Sequence, residues 1–428
     1  MRILLACEFF YPSVGGVQEV MRQVAERLVA RGHSVTVATT RLPERESREV
    51  NGVKIEEFDV SGNAVTGLSG NVEAYRQYLL AGDYDVVMVK AAQQWTFDAM
   101  MPVLDRMTRP KVFIPCGFSG LYEPAFADYF REMPEVLGKF DHLIFYASDY
   151  RDVNMAREHG LTNFSIVPNG ASELEFNTPK DPAFRGRFGI PEEAFVVLTV
   201  GRPRGAKGQL EAANAFELAG FNSRTAALIL VGDVLRKLPF ARTPRAIFKA
   251  AILYLRIRAG RVKRFVFRLP ARPKDARVQI DDVVARINRA APARRAIVVE
   301  LPRAEVIQAY LNSDLFVCAS HVEYSPLVLF EAAAASLPFL TVPVGNSVEI
   351  AEWTGGGLVC PAPRDQRGYT MVDPAVLAEN ITSLAANPER LAALGQAGHR
   401  AWSERFTWEK IVDKYEAIFT DLVGKADS

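Results

Sequence analysis

Several things that would mark a special class of protein are scarce in this 428-residue sequence. There are only four cysteines, Cys7, Cys116, Cys318 and Cys360, each standing alone and none in a Cys-x-x-Cys pair. That excludes a disulfide scaffold and points to reduced thiols inside the core. No uninterrupted apolar run reaches 18 residues, so a membrane-spanning helix is not expected. The start, MRILLACEFFYP, lacks the basic lead, long apolar stretch and small-residue cleavage site of a secretory signal, and a cytoplasmic chain is the expectation. A G-x-G-x-x-G fingerprint follows the first strand of neither half, which argues against a dinucleotide-dependent oxidoreductase. Net charge is also nearly absent, +1 overall, and selects no class of partner.

What is present is length and a repeated pattern. The chain is too long for one ordinary hydrophobic core, so two domains are expected. Strand-like runs ILLAC, SVTVATT, VKIEEF, DVVMVK, KVFIP, HLIFYA and FSIVP alternate with helical patterns, including Val17 to Ala30. The alternation restarts with FVVLTVG, AALILVG, AIVVE, DLFVCAS, FLTVP and GLVCP. Two doubly wound α/β domains with parallel sheets follow from this. Pro168-Asn169-Gly170 and the polar stretch to about Phe188 read as the linker. The expected boundaries are 1–172, 173–400, and a terminal helical segment 401–428 returning to the first domain. Ligands of such sheets bind at the carboxyl ends of the strands, and with two domains the cleft between them is the expected site.

The near-neutral total conceals a basic island. Arg236 to Arg277 holds 14 Lys or Arg and one acid, Asp275. It lies in an insertion spanning 235–293, between Gly232 and the strand AIVVE. Within it Ala246 to Ile257 is apolar, helix-like and flanked by cations. Residues 240–275 suit peripheral contact with an anionic membrane, or equally an extra helix packed on its own domain. No nucleic-acid-binding module accompanies the charge.

The motifs occur in a fixed order: Pro12-Ser-Val-Gly15-Gly16, Pro168-Asn-Gly170, Gly201-Arg202 with Lys207-Gly208, Val231-Gly232-Asp233, and Ser320-x2-Glu323-x7-Glu331-Ala332. Together they resemble the GT4 family of retaining glycosyltransferases. That resemblance covers nearly the whole chain and implies a GT-B architecture of two Rossmann-like domains facing a central cleft. It also implies a metal-independent, cofactor-free enzyme whose donor is a nucleoside diphosphate-sugar, UDP- or GDP-linked, and whose acceptor is a glycan, glycolipid or lipid-linked molecule.

Physical chemistry runs parallel to the resemblance. A departing diphosphate gathers negative charge, and a metal-free site must meet it with fixed cations and oriented N–H groups. Gly15-Gly16, before a helix, lets backbone approach a phosphate. Arg202 can fork onto two phosphate oxygens and Lys207 supplies a point charge; the resemblance assigns both to the donor diphosphate. Glu331 stands in the apolar helix LVLFEAAAA, where a carboxylate is costly without partners. The family implies ribose hydroxyls as those partners. Glu323 is implied to lie beside the donor sugar as the catalytic carboxylate, and Ser325, Pro326 and Leu327 to border the donor. The nucleobase is expected near Glu300 and Leu301. No residue stands out as the nucleophile of a double displacement, and the resemblance implies front-face transfer.

Three features depart from the family pattern. Cys116-Gly117 stands where a His-Gly or His-Asp element is common, so Cys116 is an open candidate for a sugar contact. Tyr324-Ser325-Pro326 replaces the usual Gly-Phe-Gly, and Ser336 replaces a frequent Gly. The Cys116 substitution leaves a second expectation standing, a catalytically impaired nucleotide-sugar-binding subunit of a glycan-assembly complex. Asp83-Tyr84-Asp85 matches a metal-binding D-x-D only superficially, and no metal site is expected. The segment Ser61 to Asn71 reads as a flexible loop on the acceptor side.

Overall fold

A computed structural model of the chain describes residues 1–202, 205–232, 276–290 and 293–426. It divides into two compact units. The first comprises Met1–Pro179, Val322–Met371 and Glu389–Ser428, the second Lys180–His321 and Val372–Pro388. The basic residues 240–275, the Ala246 to Ile257 segment and Asp233 lie outside the described residues.

In the first unit the strands are β1 (Arg2–Ala6), β2 (Ser34–Thr40), β3 (Glu49–Val50), β4 (Val53–Phe58), β5 (Val60–Asn63), β6 (Gly67–Gly70), β7 (Val86–Lys90), β8 (Lys111–Ile114), β9 (His142–Phe145) and β10 (Phe164–Ile166). Eight of them form one sheet in the order β10-β9-β8-β7-β1-β2-β4-β3. Every pairing is parallel except the short β3–β4 contact. All five residues of β7 are buried, as a strand covered on both faces requires. Aromatic packing fills one face: Phe97 stacks on Phe113 at 4.1 Å and Phe113 on Phe140 at 5.0 Å.

The segment expected to be a flexible loop is instead a hairpin. β5 and β6 pair antiparallel from Val60↔Gly70 to Asn63↔Gly67, and Asn63 Oδ1 accepts from the amides of Val65 and Thr66 at 3.0 and 2.7 Å. Gly62 and Gly67 take φ of 89° and 96°, values that a side chain would strain. Glycine-rich strands with so little apolar alternation carry almost no sequence signal of pairing.

The last helix, Trp408–Ala426, buries Ile411, Val412, Tyr415 and Phe419, roughly one helical face. It packs on the helix Gly16–Ala30, where Arg31 reaches Glu409, Asp413 and Glu416 at 2.6, 2.8 and 2.7 Å. Just ahead of it, the indole of Trp402 donates to the Ala171 carbonyl at 3.0 Å.

The second unit contains β11 (Phe195–Val200), β12 (Ala226–Val231), β13 (Arg294–Val299) and β14 (Leu315–Cys318), ordered β13-β12-β11-β14 and all parallel. Its described helices include Gln209–Leu218 and Ala276–Ala290. The latter is the end of the insertion; it buries Ile280, Val283 and Ile287 and pairs Arg286 with Glu217 at 2.7 Å. Two further strands, β15 (Phe339–Thr341) and β16 (Gly357–Val359), pair in parallel within the first unit.

Candidate active site

In the first unit Cys7, Lys90, Cys116 and Tyr146 stand at or just beyond the carboxyl ends of β1, β7, β8 and β9, four neighbouring strands. The loops at that edge are strained. Ala91 and Gln93 after β7 have φ of 72° and 65°, and Cys116 and Phe118 after β8 have 62° and 49°. Non-glycine residues held there cost about 1–3 kcal/mol each, and such strain concentrates at functional sites. Gln93 and Gly120 are tied together, the Gly120 amide donating to Gln93 Oε1 at 3.1 Å.

Gly15 is extended and Gly16 opens the helix Gly16–Ala30, with the Glu19 amide donating to the Gly15 carbonyl at 2.9 Å. A Cβ on Gly16 would lie 3.9 Å from Leu327 Cδ1. Gly16 and Leu327, 311 positions apart by their numbers, therefore share one corner of this unit.

The segment Glu323–Leu327 is held mainly through its backbone. Tyr150 donates to the Glu323 carbonyl at 3.0 Å, the Asn346 amide to the Tyr324 carbonyl at 2.8 Å, and the Asn169 side chain to the Ser325 carbonyl at 3.1 Å. The Tyr146 amide donates to the Tyr324 hydroxyl at 3.0 Å. Around this segment, Asn169 Oδ1, Ser325 Oγ and Asn346 Oδ1 are buried with no hydrogen-bond partner among the described residues. Orphaned polar atoms of this kind are rare in a folded interior, and three at one segment make it a candidate for binding polar groups. Pro326 caps the helix Leu327–Ala334, which buries Glu331 to 7% exposure among Leu329, Phe330 and three alanines. Glu323 is half-buried.

Electrostatics here are dominated by desolvation. Lys90 is 1% exposed; its amine meets the Tyr146 hydroxyl and lies 4.5 Å from the centre of that ring. Burial lowers its pKa, against the pull of the Cys116 and Cys7 thiols. Burial likewise pushes the Cys116 thiol up in spite of Lys90, so Cys116 is a protonated thiol and not a thiolate nucleophile.

Asp152 is fully buried, and burial pushes its carboxyl up from 3.8 to about 6, against the lowering effect of Tyr324 and of the Gly117 and Val153 amides that hydrogen-bond to it. Between those pH values the folded chain binds more protons than the unfolded one, so this group's penalty grows as pH rises and is complete above pH 6. It amounts to roughly 3 kcal/mol. Asp152→Asn is therefore expected to be more stable than the parent at pH 7.5, with the advantage shrinking toward pH 4. Urea unfolding at both pH values checks this, and an equal difference at the two would refute it.

The second unit presents its own set at the carboxyl ends of its strands. Gly201 and Arg202 follow β11, and Lys207 closes a short 3-10 turn before the helix Gln209–Leu218. Gln209 donates to the carbonyls of Gly201 and Val231 at 2.6 and 3.0 Å, joining the ends of β11 and β12. Gly208 has φ 63°, and a Cβ there would collide with the Ala319 carbonyl at 1.8 Å. Only glycine allows the Lys207 loop to approach β14 so closely. Arg202 is exposed and Lys207 half-buried. Glu300 and Leu301 directly follow β13, at the same edge of the sheet.

Other candidates belong elsewhere. Asp85 accepts from the Arg2 amide at 2.8 Å and its guanidinium at 2.6 Å, which holds its pKa below the usual value; Asp83 also pairs with Arg2. This is the amino edge of the first sheet. A cleft of about 370 Å3 lined by Thr225, Arg294 and Arg295 lies at the amino ends of β12 and β13, away from the ligand edge. Among the described residues no cluster of His, Cys, Asp and Glu could hold a metal ion, and no helix is long and apolar enough to cross a membrane.

Sequence reasoning missed Lys90, Tyr146, Tyr150, Asp152 and Asn346, and used Asn169 only as part of the linker and of the Pro168-Asn-Gly170 motif. A signal was available for two of them: Lys90 ends the strand-like run DVVMVK and Tyr146 lies near the end of HLIFYA, at the edge where ligands of parallel sheets bind.

Comparison with known proteins adds two family matches. Residues 296–401 match the model of glycosyl transferases group 1, and residues 15–145 that of a glycosyl transferase 4-like domain. A D-inositol 3-phosphate glycosyltransferase of Segniliparus rotundus is 36% identical over 114 residues, 26% of this chain and only 23% of that protein's length. The N-acetyl-alpha-D-glucosaminyl L-malate synthase of Bacillus anthracis is 23% identical, covering 99% of this chain and 97% of its own. Among solved structures, Anabaena Alr3699/HepE in complex with UDP superimposes with a TM-score of 0.68 at 16% identity, covering 98% of this chain and 100% of that one.

Proposed function

Because the chain belongs to the GT4 family of glycosyltransferases and has the GT-B fold, we propose that it transfers a sugar from a nucleoside diphosphate-sugar to a hydroxyl of a glycan, glycolipid or lipid-linked acceptor, with retention and without a metal ion. The observation that carries this proposal is the Glu323–Leu327 segment. It is pinned through its backbone, flanked by three orphaned polar atoms, and leads into a helix that buries Glu331.

In the proposed reaction the bond between the anomeric carbon and the phosphate oxygen breaks while the acceptor oxygen bonds to that carbon from the same face. The acceptor proton passes to the departing phosphate oxygen. Glu323 offers negative charge beside the developing oxocarbenium ion, and Arg202 and Lys207 offer positive charge to the diphosphate. Glu331 holds the ribose.

UDP is the nucleotide favoured by the likeness to the UDP-bound Anabaena protein. Titration calorimetry with UDP, GDP and ADP is expected to show UDP binding at least about tenfold tighter than the other two, the size of one good discriminating contact. Absent binding of all three would refute the donor class, and equal binding would refute the preference for UDP. Cys116, as a protonated thiol in place of the usual His, favours the second reading of a nucleotide-sugar-binding subunit without catalysis. Tight UDP binding with neither hydrolysis nor transfer of UDP-sugars would establish it.

A further inference from the structure

Tyr324 interrupts the segment that carries Glu323 with the largest side chain in it, and its ring and hydroxyl are both engaged. The ring stacks on Tyr146 at 5.4 Å and lies beside Tyr150 at 5.1 Å. It also rests on Gly117: a Cβ there would come within 2.7 Å of Tyr324 Cδ2 and 2.8 Å of Tyr150 Cε1. Gly117 has φ 81° and donates its amide to Asp152 at 2.8 Å. The Tyr324 hydroxyl accepts from the Tyr146 amide at 3.0 Å, and its side chain interacts electrostatically with the buried Asp152 carboxylate. One buried carboxylate thus hydrogen-bonds to the Cys116-Gly117 turn and interacts electrostatically with the Tyr324 side chain that packs on that turn.

We propose that Asp152 and Tyr324 form a latch, two positioning residues that set Glu323 for transfer and close the Tyr324 ring over the Cys116-Gly117 turn. The proposal rests on the glycosyltransferase reading for its effect on rate, but not for its effect on Cys116. A fully buried carboxylate with no cation hydrogen-bonded to it among the described residues is costly to the fold. Keeping one where its two principal partners are the loops of a candidate site is the pattern of a group retained for positioning. Isosteric replacement should then separate stability from rate, whereas a merely structural residue would lower both.

Tyr324→Phe keeps the ring and deletes the hydroxyl; Asp152→Asn keeps the shape and deletes the charge. In each, kcat for transfer is expected to fall about tenfold with UDP affinity unchanged, while Asp152→Asn melts above the parent. The double variant should lose little more than either single one, because both cut the same link. N-ethylmaleimide labelling of Cys116, followed by peptide mass spectrometry, is expected to accelerate severalfold in both variants, with Cys7, Cys318 and Cys360 as buried internal controls. Unchanged Cys116 labelling in both variants would overturn the latch. So would additive losses of rate accompanied by lower melting temperatures. If the parent transfers no sugar from any donor, the functional reading fails, and the labelling rates still decide whether the latch exists.

Discussion

Replacing Glu323 by alanine is expected to lower sugar transfer roughly 10²–10³-fold, the effect of losing one preorganised electrostatic contact to a transition state, with UDP affinity unchanged. The expectation follows from how the residue is held. Its carbonyl is fixed by the Tyr150 hydroxyl at 3.0 Å and the next carbonyl by the Asn346 amide at 2.8 Å. Removing the side chain should therefore leave the backbone path intact, so the loss falls on chemistry and not on folding. Single-turnover rates with saturating donor, beside calorimetry with UDP, measure the two quantities separately. Wild-type kcat in Glu323→Ala would remove Glu323 from the mechanism, and a parallel loss of UDP affinity would reassign it to the nucleotide.

Glu331→Ala should show the opposite division. Glu331 is 7% exposed on a helix whose other buried residues are all apolar. A carboxylate there adds less to the fold than a packed apolar group would. The variant is expected to remain folded and to bind UDP between ten- and a hundredfold more weakly, the size of one to two charge-assisted hydrogen bonds to hydroxyls at about 1.5 kcal/mol each. Deoxyuridine diphosphate, lacking one of those hydroxyls, should discriminate less against the variant than against the parent. Undiminished UDP affinity in Glu331→Ala would refute the ribose assignment.

Much of the fold was legible because its signals are local. The runs DVVMVK, KVFIP and HLIFYA are continuous and apolar, as strands buried on both faces must be, and they became β7, β8 and β9. The terminal amphipathic pattern became the helix Trp408–Ala426. By contrast, β3 has only two residues, and the β5–β6 hairpin is built of Gly, Ser and Asn. Neither offers the alternation from which a strand is recognised.

At the site the division is similar. Gly208 and the Glu323-x7-Glu331 spacing stand out in the sequence because a tight backbone approach and a carboxylate in an apolar helix are each unusual in their own local context. Asp152 does not stand out: in the sequence it is an acid near the start of a polar helix, where acids are common. Asn169 looks like a turn residue, yet its amide reaches Ser325 across 156 positions, and the Tyr146 amide reaches the Tyr324 hydroxyl across 178.

The sequence by itself determined where the apolar strands and amphipathic helices form and which of its residues carry charge at the carboxyl ends of those strands, because periodicity of two or 3.6 is written between near neighbours. Tertiary structure alone decided that Asp152 loses its water, that Lys90 is buried against the Tyr146 phenol, and that Tyr324 closes on Gly117. Solvation and proton affinity depend on every group within a few ångströms, and at this site most of those groups come from distant parts of the chain.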